Sequence, residues 1–589
     1  MKLKQVEVKE LIQAARGVIP CDWVLTNVNV FNVFTGEILP ANIYVYKDSI
    51  AHVDYELNEL DEVTGDIVDG HGKYCIPGLI DAHMHVESTM LTPQNFAEIA
   101  AAWGTTTSIT DPHEVANVVG VEGVTYMHDI AENLPMRQLI DIPSCVPSVH
   151  GLENAGAEFL APEIDELSKL ERVIGLAEVM DFVGVADGEK HLLDILEVAK
   201  KNNLYIQGHA PMATGRLLSA YIAGGPKTCH ESRHGSEAVE KLRQGLYVDA
   251  RESSMSTNVV DIWEAIQNNR YHDTFCLCTD DREAEHILRV GHMNDVVNVA
   301  IQAGMDPRDA IRSATFNSAR EAHLENIGAI APGYLADFLL VDDLKNLRPS
   351  HVFFEGKLVA KDQKLVTPIE PRTHELEKRN TVFVKDLKPE DLTLKAPIQN
   401  GEIVVNFIEY LSPKGSLTKL SSDTLNVVEG EVILKEGMMF TSIVNRHPNN
   451  DTISIAIVKG FGNHRGCLST TVSHDSHNIT LVYNNPKDAV VAVNKLREIG
   501  GGFATVLDGE VIGTMALPVC GLMSHHDAQT VAKESKALYQ VNLGLGMEEL
   551  LNPVLRICTL ALIVIPQMKM SDLGMVDVNL KKIIPVFQD

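Results

Sequence analysis

Histidines and carboxylates recur in this sequence directly after short apolar runs. The first are His83 and His85, which flank Met84 and follow the run LIDA. Side chains two residues apart on a strand share one face, so both imidazoles can reach a single metal ion. A lone His-X-His pair is weak evidence, because most such pairs are ordinary polar surface. Its meaning therefore depends on the residues that end the neighbouring runs.

Later apolar runs end in residues of the same types, namely Glu178, His209, His230 and the pair Asp280-Asp281. Each alone has a simpler explanation, since a single histidine is more often a hydrogen-bonded core residue than a ligand. Four histidines and two carboxylates after successive strands form a nitrogen and oxygen ligand set. Such a set suits two divalent ions such as Mn, Fe or Zn. The pattern predicts a metal centre.

These residues need a scaffold in which strand ends meet. Short apolar strands alternate with helical stretches, and we predict strands at residues 79–83, 105–110, 140–149, 173–179, 204–209, 227–230, 246–251 and 274–279. Eight such units over about 200 residues match a (β/α)8 barrel, whose active sites lie at the carboxyl ends of the strands. The sixth strand is the weakest prediction, because it is short and lies in a segment rich in Gly and Pro.

Sequence patterns typical of strands lie on either side of the predicted barrel and indicate further domains. Residues 1–77 form an N-terminal helix and the first half of a small β domain, residues 78–330 the barrel, and residues 331–370 the second half. Residues 367–379 are interpreted as a linker, and residues 380–589 as a C-terminal α+β domain. The expected fold class is α/β, with a (β/α)8 barrel that carries the predicted metal centre and is inserted in a small β-sandwich domain.

Composition narrows the class of protein. The net charge of −30, from 80 acidic and 50 basic residues, repels phosphate and anionic lipid, which argues against nucleic-acid and membrane binding. The most apolar run, residues 557–565, is about half of the roughly 20 residues that a membrane span needs, so we interpret it as a buried strand. Nine scattered cysteines without a CxxC pair and a charged N-terminus predict reduced thiols and a cytoplasmic location.

Seven motifs carry a resemblance to a known family. IPGLIDAHMHVESTM at residues 76–90 resembles the first-strand signature of the amidohydrolase superfamily, in its adenine deaminase branch. Further similar motifs are TSITDPHEVANV (107–118), GLAEVMD (175–181), GHAP (208–211), TCHES (228–232), CTDD (278–281) and AIAPGYLADFLLVDD (329–343). The resemblance extends over nearly the whole chain and includes a C-terminal domain of the adenine deaminase type, which simpler members lack.

The resemblance implies how the ligands divide between two ions. The more buried ion would be held by His83, His85, Glu178 and Asp280, and the second by Glu178, His209 and His230. Many relatives bridge the ions with a carboxylated lysine on strand four. Here Glu178 offers the bridging carboxylate, which agrees with the adenine deaminase branch. The implied cofactor is two divalent ions, Mn(II) before Fe(II) or Zn(II), and the implied assembly is a homodimer or higher homo-oligomer.

The activity implied by the resemblance is hydrolytic deamination of adenine to hypoxanthine and ammonia, in purine salvage. Two cations would lower the pKa of a bridging water from ~15.7 toward ~7, and the resulting hydroxide would attack C6 of adenine. Asp280 would move the proton to the ring or the leaving amine, with Glu178 as the second catalytic residue. Substrate contacts are expected from Glu87, His113 and Asp281, although each could equally solvate a loop or cap a helix.

Alternatives remain open at this point. Another amidohydrolase that acts on a cyclic amide, of the hydantoinase or dihydroorotase type, would share these metal residues. Glu178 in place of the bridging lysine and the long C-terminal domain both resemble the adenine deaminase branch more than that type. A non-catalytic scaffold would have lost ligands, and none is missing. In the C-terminal region we interpret residues 473–478 as a cover over the pocket and residues 524–527 as caps or turns.

Overall fold

The computed structural model describes residues 3, 5–412, 415–448, 450–547, 552–565 and 567–588. The predicted domain limits at residues 1 and 589 lie outside the described residues. Helix α1 (Val8–Ala15) packs through Leu11 and Ala14 onto the first strands of a mixed sheet. These strands are β1 (Trp23–Phe31), β2 (Ile38–Tyr46), β3 (Ser49–Asp54), β4 (Ile67–Asp69) and β5 (Tyr74–Pro77). β1 pairs antiparallel with β2 and parallel with β4 and β5.

Eight strands form the predicted barrel, and the fold class is confirmed. They are β6 (Leu79–Met84), β7 (Thr105–Thr110), β8 (Arg137–Ile142), β9 (Val173–Val179), β10 (Tyr205–Gly208), β11 (Thr228–Cys229), β12 (Tyr247–Arg251) and β13 (Phe275–Cys278). β6 to β10 pair in parallel as one run and β11 to β13 as a second. Backbone hydrogen bonds from Lys227 to Ile206 (2.9 Å) and from Asp280 to His83 (3.0 Å) join the two runs.

The helices of the barrel cover its outer surface. They are α2 (Pro93–Ala102), α3 (His113–Val119), α4 (Val121–Ile130), α5 (Ala161–Leu167), α6 (Phe182–Asp187), α7 (Lys190–Lys201), α8 (Gly215–Gly224), α9 (Gly235–Arg243), α10 (Val259–Ile266), α11 (Ala284–Val290), α12 (Met293–Gln302), α13 (Pro307–Ser313) and α14 (Phe316–Glu321). In α7 the buried residues Leu192, Ile195, Leu196 and Ala199 follow helical spacing, so they form one apolar stripe that packs inward. The stripe belongs to the same apolar core as Val173 and Leu176 of β9 and Ile206 of β10.

The third barrel strand differs from its prediction. It was expected at residues 140–149, whereas β8 ends at Ile142. Pro143 and Pro147 lack the N–H group that a central strand must donate, so the strand ends before the first of them. The strand begins three residues earlier than predicted, at Arg137, because the backbone pairs there with Thr107 of β7. The buried guanidinium of Arg137 also pairs with Asp337 at 3.0 Å.

After the barrel the chain returns to the first sheet. The returning strands are β14 (Phe338–Val341), β15 (Pro349–Phe354), β16 (Lys357–Lys361) and β17 (Lys364–Leu365). β14 pairs antiparallel with β5, which precedes the barrel, and the nine strands form one sheet in the order β17-β16-β15-β14-β5-β1-β2-β3, with β4 on β1. The two ends of the barrel segment are thereby fixed to each other.

The C-terminal region is built on a second nine-stranded sheet. Its elements are β18 (Gly401–Tyr410), β19 (Thr418–Val428), β20 (Glu431–Ile433), β21 (Met438–Val444), β22 (Ile453–Lys459), β23 (Cys467–Thr470), β24 (Ile479–Tyr483), α15 (Pro486–Ile499), β25 (Gly502–Leu507), β26 (Glu510–Ala516), α16 (Ala528–Leu543) and α17 (Pro553–Cys558). The strand order is β20-β19-β18-β22-β21-β24-β23-β25-β26. A small sheet of β27 (Met568–Ser571), β28 (Gly574–Asp577) and β29 (Lys582–Ile584) follows.

The prediction of a buried strand at residues 557–565 is wrong in secondary structure. The run completes α17 and continues into turns, with Ile557, Leu560 and Ile563 buried. Asn552 starts this helix, because its side chain accepts a hydrogen bond from the N–H of Val554 at 3.0 Å. A continuous apolar run has no alternation that separates a strand from a buried helix. Within the described ranges, no helix is long and apolar enough to cross a membrane.

Candidate metal centre and substrate cavity

The histidines of the first barrel strand each present one ring nitrogen to a common centre. His83 Nδ1 lies 2.8 Å from the side-chain oxygen of Gln207, and His85 Nδ1 lies 2.9 Å from the main-chain oxygen of Asp111. Gln207 is oriented by its own amide, which donates to the main-chain oxygen of Ala82. Both acceptors place the imidazole proton on Nδ1, so each Nε2 keeps a free lone pair. His83 Nε2 is buried without a hydrogen-bond partner in the described structure, as suits a metal ligand.

Glu178, at the end of β9, divides its carboxylate between two groups of histidines. Oε1 lies 3.6 Å from His85 Nε2, whereas Oε2 lies 3.2 Å from His230 Nε2 and contacts His209 Nδ1. Two ligands that share an ion at about 2.1 Å each stand roughly 3 Å apart, close to these separations. Burial opposes ionisation, but the imidazoles of His209 and His230 hold the pKa of Glu178 well below its ordinary value. An ionised carboxylate placed in this way can bridge two cations.

Asp280 completes the ligand set at the end of β13. Its Oδ1 lies 3.3 Å from His85 Nε2 and 3.7 Å from His83 Nε2, and its Oδ2 accepts a hydrogen bond from Arg251. Arg251 also pairs with Glu231 at 2.7 Å. Burial would raise the pKa of Asp280, but the Arg251 guanidinium holds it well below its ordinary value. The backbone of Asp280 has φ = 56°, a left-handed conformation that few non-glycine residues adopt.

The structure brings all six predicted ligand residues together at one end of the barrel. His85 and Glu178 lie with Asp111 and His113 in one group whose ligand atoms are within 4.8 Å of one another. In two further groups, His83 lies with His230 and Asp280, and Glu178 lies with His209 and His230. His230 therefore belongs to both of these further groups, whereas the family resemblance placed it with the second ion alone. Its ring stacks on that of His83 with centroids 4.0 Å apart. The donor set is the mixed nitrogen and oxygen set that divalent transition metals accept.

A cavity of about 490 Å³ lies over these residues. The barrel supplies one wall, which contains His85, Glu178, His209, His230 and Asp280. The opposite wall comes from the C-terminal region and contains His474, Asp475, Leu562 and Ile565. The volume and the combination of apolar and convergent polar groups are those of a small-molecule site.

The three predicted substrate residues lie in different places. His113 and Asp281 line the cavity. Glu87 is absent from its described lining, and its carboxylate instead accepts a hydrogen bond from the N–H of Val115 at 3.3 Å. Burial, and then the nearby Glu114, raise the pKa of Glu87 to about 8. The position of Glu87 gives no support to a direct substrate contact.

Two residues of the cavity wall were not singled out from the sequence. Arg251 is the last residue of β12, and the rule that barrel sites lie at strand ends would have found it. Asp475 belongs to the segment interpreted as a cover, but no local signal distinguished it from its polar neighbours. Residues 524–527 have the structural role expected of them, since the Asp527 side chain accepts from the N–H of Thr530 at 2.8 Å and begins α16.

Comparisons with known proteins match both halves of the chain. The amidohydrolase family model matches residues 74–359, and the model of the adenine deaminase C-terminal domain matches residues 416–582. Adenine deaminase 2 of Carboxydothermus hydrogenoformans is 37% identical over 98% of this chain and 99% of its own length. The adenine deaminase of Clostridium acetobutylicum is 36% identical over 97% of this chain and 98% of its own length.

The similarity is not confined to the barrel. The adenine deaminase of Thermosipho melanesiensis is 37% identical over 99% of this chain and all of its own length. The C-terminal region that closes the cavity is therefore shared along with the ligand-bearing strands. The chain belongs to the adenine deaminase family.

Proposed function

We propose that this protein is an adenine deaminase, a hydrolase that converts adenine and water to hypoxanthine and ammonia. The observation that carries the proposal is the convergence of four histidines and two carboxylates beneath a cavity of about 490 Å³. Proteins that share its full length are named for this activity. The cavity is of a size that holds a heterocyclic base, and its lining combines polar and apolar side chains.

We propose a centre of two divalent ions, with Mn(II) as the first choice. His83, His85, Glu178 and Asp280 would hold the more buried ion, and Glu178, His209 and His230 the other. The free lone pairs of His83 and His85 and the ionised state of Glu178 support this assignment. When bound, such ions supply a polarised water that can act as the nucleophile near neutral pH.

Asp280 is proposed to move the proton of the attacking water. Its Oδ2 is held by Arg251, so Oδ1 is the oxygen available to accept that proton. Asp280 then delivers the proton to the ring or to the amino group at C6, so that ammonia leaves rather than the amide anion. Arg251 is a positioning residue, because it orients the carboxylate and keeps it ionised. Glu178 is the second proposed catalytic residue, because its Oε1 faces His85 and its Oε2 faces His209 and His230, so that it would hold both ions.

His113 and Asp281 are proposed to contact the purine, since both line the cavity beside the ligands. A purine presents donors and acceptors along its edges, and a pocket that pairs them rejects analogues that lack them. The oligomeric state, the cytoplasmic location and the role in purine salvage stay predictions from the sequence.

The proposal is tested by measuring ammonia and hypoxanthine formed from adenine by the purified protein after reconstitution with Mn(II). We expect His83→Ala and Glu178→Ala to abolish turnover and to lower the bound metal per chain. Glu197→Ala, at an exposed position on α7, is the matched control and should keep both. Absence of adenine turnover with Mn, Fe and Zn alike would overturn the proposal. Opening of a cyclic amide in its place would favour the hydantoinase type.

A further inference from the structure

The loop between β23 and β24 carries a buried carboxylate into the cavity wall. Asp475 lines the cavity and is only 1% exposed. Its Oδ1 lies 3.5 Å from His113 Nε2, and its Oδ2 is buried without a hydrogen-bond partner in the described structure. A buried polar atom without a partner costs free energy, so it indicates a donor that arrives with a ligand.

Hydrogen bonds that do not involve the Asp475 side chain hold this loop in place. The N–H of Ser473 donates to His477 Nδ1 at 3.2 Å, and the N–H of His477 donates to the Ser473 carbonyl at 2.8 Å. Arg446 Nε donates to the His477 carbonyl at 2.5 Å, and the N–H of His474 donates to the Cys558 carbonyl at 3.0 Å. The carboxylate is therefore held in position before a ligand binds.

His113 sets the spacing between this carboxylate and the ligand cluster. Its Nδ1 lies 3.5 Å from Glu178 Oε1, and its Nε2 lies 3.5 Å from Asp475 Oδ1. One imidazole ring thus separates the two carboxylates. A purine consists of two fused rings. If its six-membered ring lies at the ligands, its five-membered ring extends toward the loop.

A carboxylate that only accepts hydrogen bonds distinguishes two classes of purine. A free base carries one N–H on its five-membered ring, at N7 or N9. A nucleoside carries a sugar at N9 and has no N–H on that ring. It would therefore leave the carboxylate unpaired and bring the sugar against the wall, and sites built to pair a donor strongly reject analogues that lack it.

We propose that Asp475 accepts a hydrogen bond from the ring N–H of the purine and so selects free bases over N9-substituted purines. The identification of the ligand as a purine rests on the proposed function. Asp475 is a specificity-determining residue at the end of the cavity opposite C6, and it takes no part in the proposed proton transfer. The competing interpretation is a further cation held by His113, His474 and Asp475, whose ligand atoms also lie within 4.8 Å of one another.

Calorimetric binding of purine and of 9-methylpurine to the metal-loaded protein tests the proposal without turnover, because neither compound has an amino group at C6. The wild type should bind purine about 10- to 100-fold more tightly, the range for a hydrogen bond to a charged group. Asp475→Ala should bind both equally. Asp475→Asn keeps a carbonyl acceptor and should show an intermediate preference. Asp572→Asn, a buried carboxylate outside the described cavity lining, is the matched control and should keep the full preference.

Three results would overturn the proposal. The first is equal binding of the two compounds by the wild type, and the second is a preference that survives Asp475→Ala. The third is a loss of bound metal from Asp475→Ala and Asp475→Asn, which would assign the cluster to a cation. None of these depends on adenine turnover. If the protein prefers purine to 9-methylpurine but releases no ammonia from adenine, the role of Asp475 is supported and the proposed function is contradicted. If the alanine variant does not fold, Asp475→Asn carries the test.

Discussion

The barrel wall of the cavity takes its proposed ligands from the ends of five different strands, whereas the loop wall takes His474 and Asp475 from one short segment. Beneath the barrel wall, His83 on β6 is oriented by the side chain of Gln207 on β10, and three other strands lie between these two along the chain. In the loop wall, main-chain hydrogen bonds within and around residues 473–478 fix the whole segment. The proposed metal centre and the proposed selection of the substrate therefore have separate structural supports, and a substitution should be able to disrupt each without the other.

The largest effect is expected when the support of the barrel wall is removed. Gln207→Leu deletes the acceptor that holds the Nδ1 proton of His83. Loss of such an outer partner typically lowers metal affinity or activity by about 10- to 100-fold. Metal titration and kcat/KM for adenine measure this directly. Gln138→Leu is the control, because Gln138 is equally buried on β8 but donates to the Pro93 carbonyl instead. Unchanged metal affinity in Gln207→Leu would show that His83 needs no orienting partner.

A smaller effect is expected from loosening the loop wall. Arg446 is fully buried and donates to the carbonyls of Thr381, His477 and Cys520, and burial lowers its pKa to about 10. Arg446→Met should lower kcat/KM for adenine about tenfold, below the 10²-fold that a 1 Å misplacement of a reacting group can cost. Bound metal per chain should not change.

The control for that substitution is Arg465→Met, at an exposed position of the same region. Circular dichroism of both variants checks that the chain is folded. If Arg446→Met lost metal together with activity, the two walls would not be independent, and the comparison would fail.

The smallest effect concerns Lys569, which connects two segments near the loop wall. Its Nζ donates to the carbonyls of Ser416 and Thr559, and burial, with Arg233 and Arg556, lowers its pKa from 10.5 to about 7. Between these two pKa values the unfolded chain binds a proton at Lys569 that the folded chain does not bind. The free energy of unfolding therefore rises with pH across this window. Below about pH 7 both states carry the proton, so this group causes no change there.

Thermal denaturation at a fixed heating rate measures this contribution. The midpoint of the wild type minus that of Lys569→Met should increase between pH 7 and pH 9. The difference between the two midpoints isolates Lys569, because every other titrating group is common to the wild type and the variant. Parallel curves would show that Lys569 is not buried as a neutral amine.

The barrel wall could be predicted from the sequence because strand ends of a barrel meet at one rim. His83 and Glu178 each follow an apolar run, and this local pattern is sufficient to place them together. The loop wall could not be predicted in this way. Asp475 meets His113 only through the packing of two remote regions, and no periodicity in either segment reports that contact. Arg251 was within reach of the strand-end rule but was not identified.

The two errors in secondary structure have local origins. An apolar run alone does not separate a strand from a helix, so residues 557–565 were assigned to a strand. Pro143 and Pro147 should have shortened the third strand, because proline cannot donate to a sheet. The residue types at the end of each apolar run indicate which strand ends carry ligand-type side chains. They do not indicate contacts between distant regions of the chain.

The placement of the two walls along the chain has a consequence for how the protein is made. The proposed ligands all precede residue 281, and the sheet around the barrel is complete at Leu365, whereas the loop wall begins at residue 473. A chain synthesised from its N-terminus therefore finishes the barrel about a hundred residues before the loop, an interval of roughly 5–20 s at common rates of translation. During that interval the ligands have no loop over them. The order of synthesis would therefore give metal ions an open route to the proposed ligands in the nascent barrel, and the later part of the chain would then narrow that route.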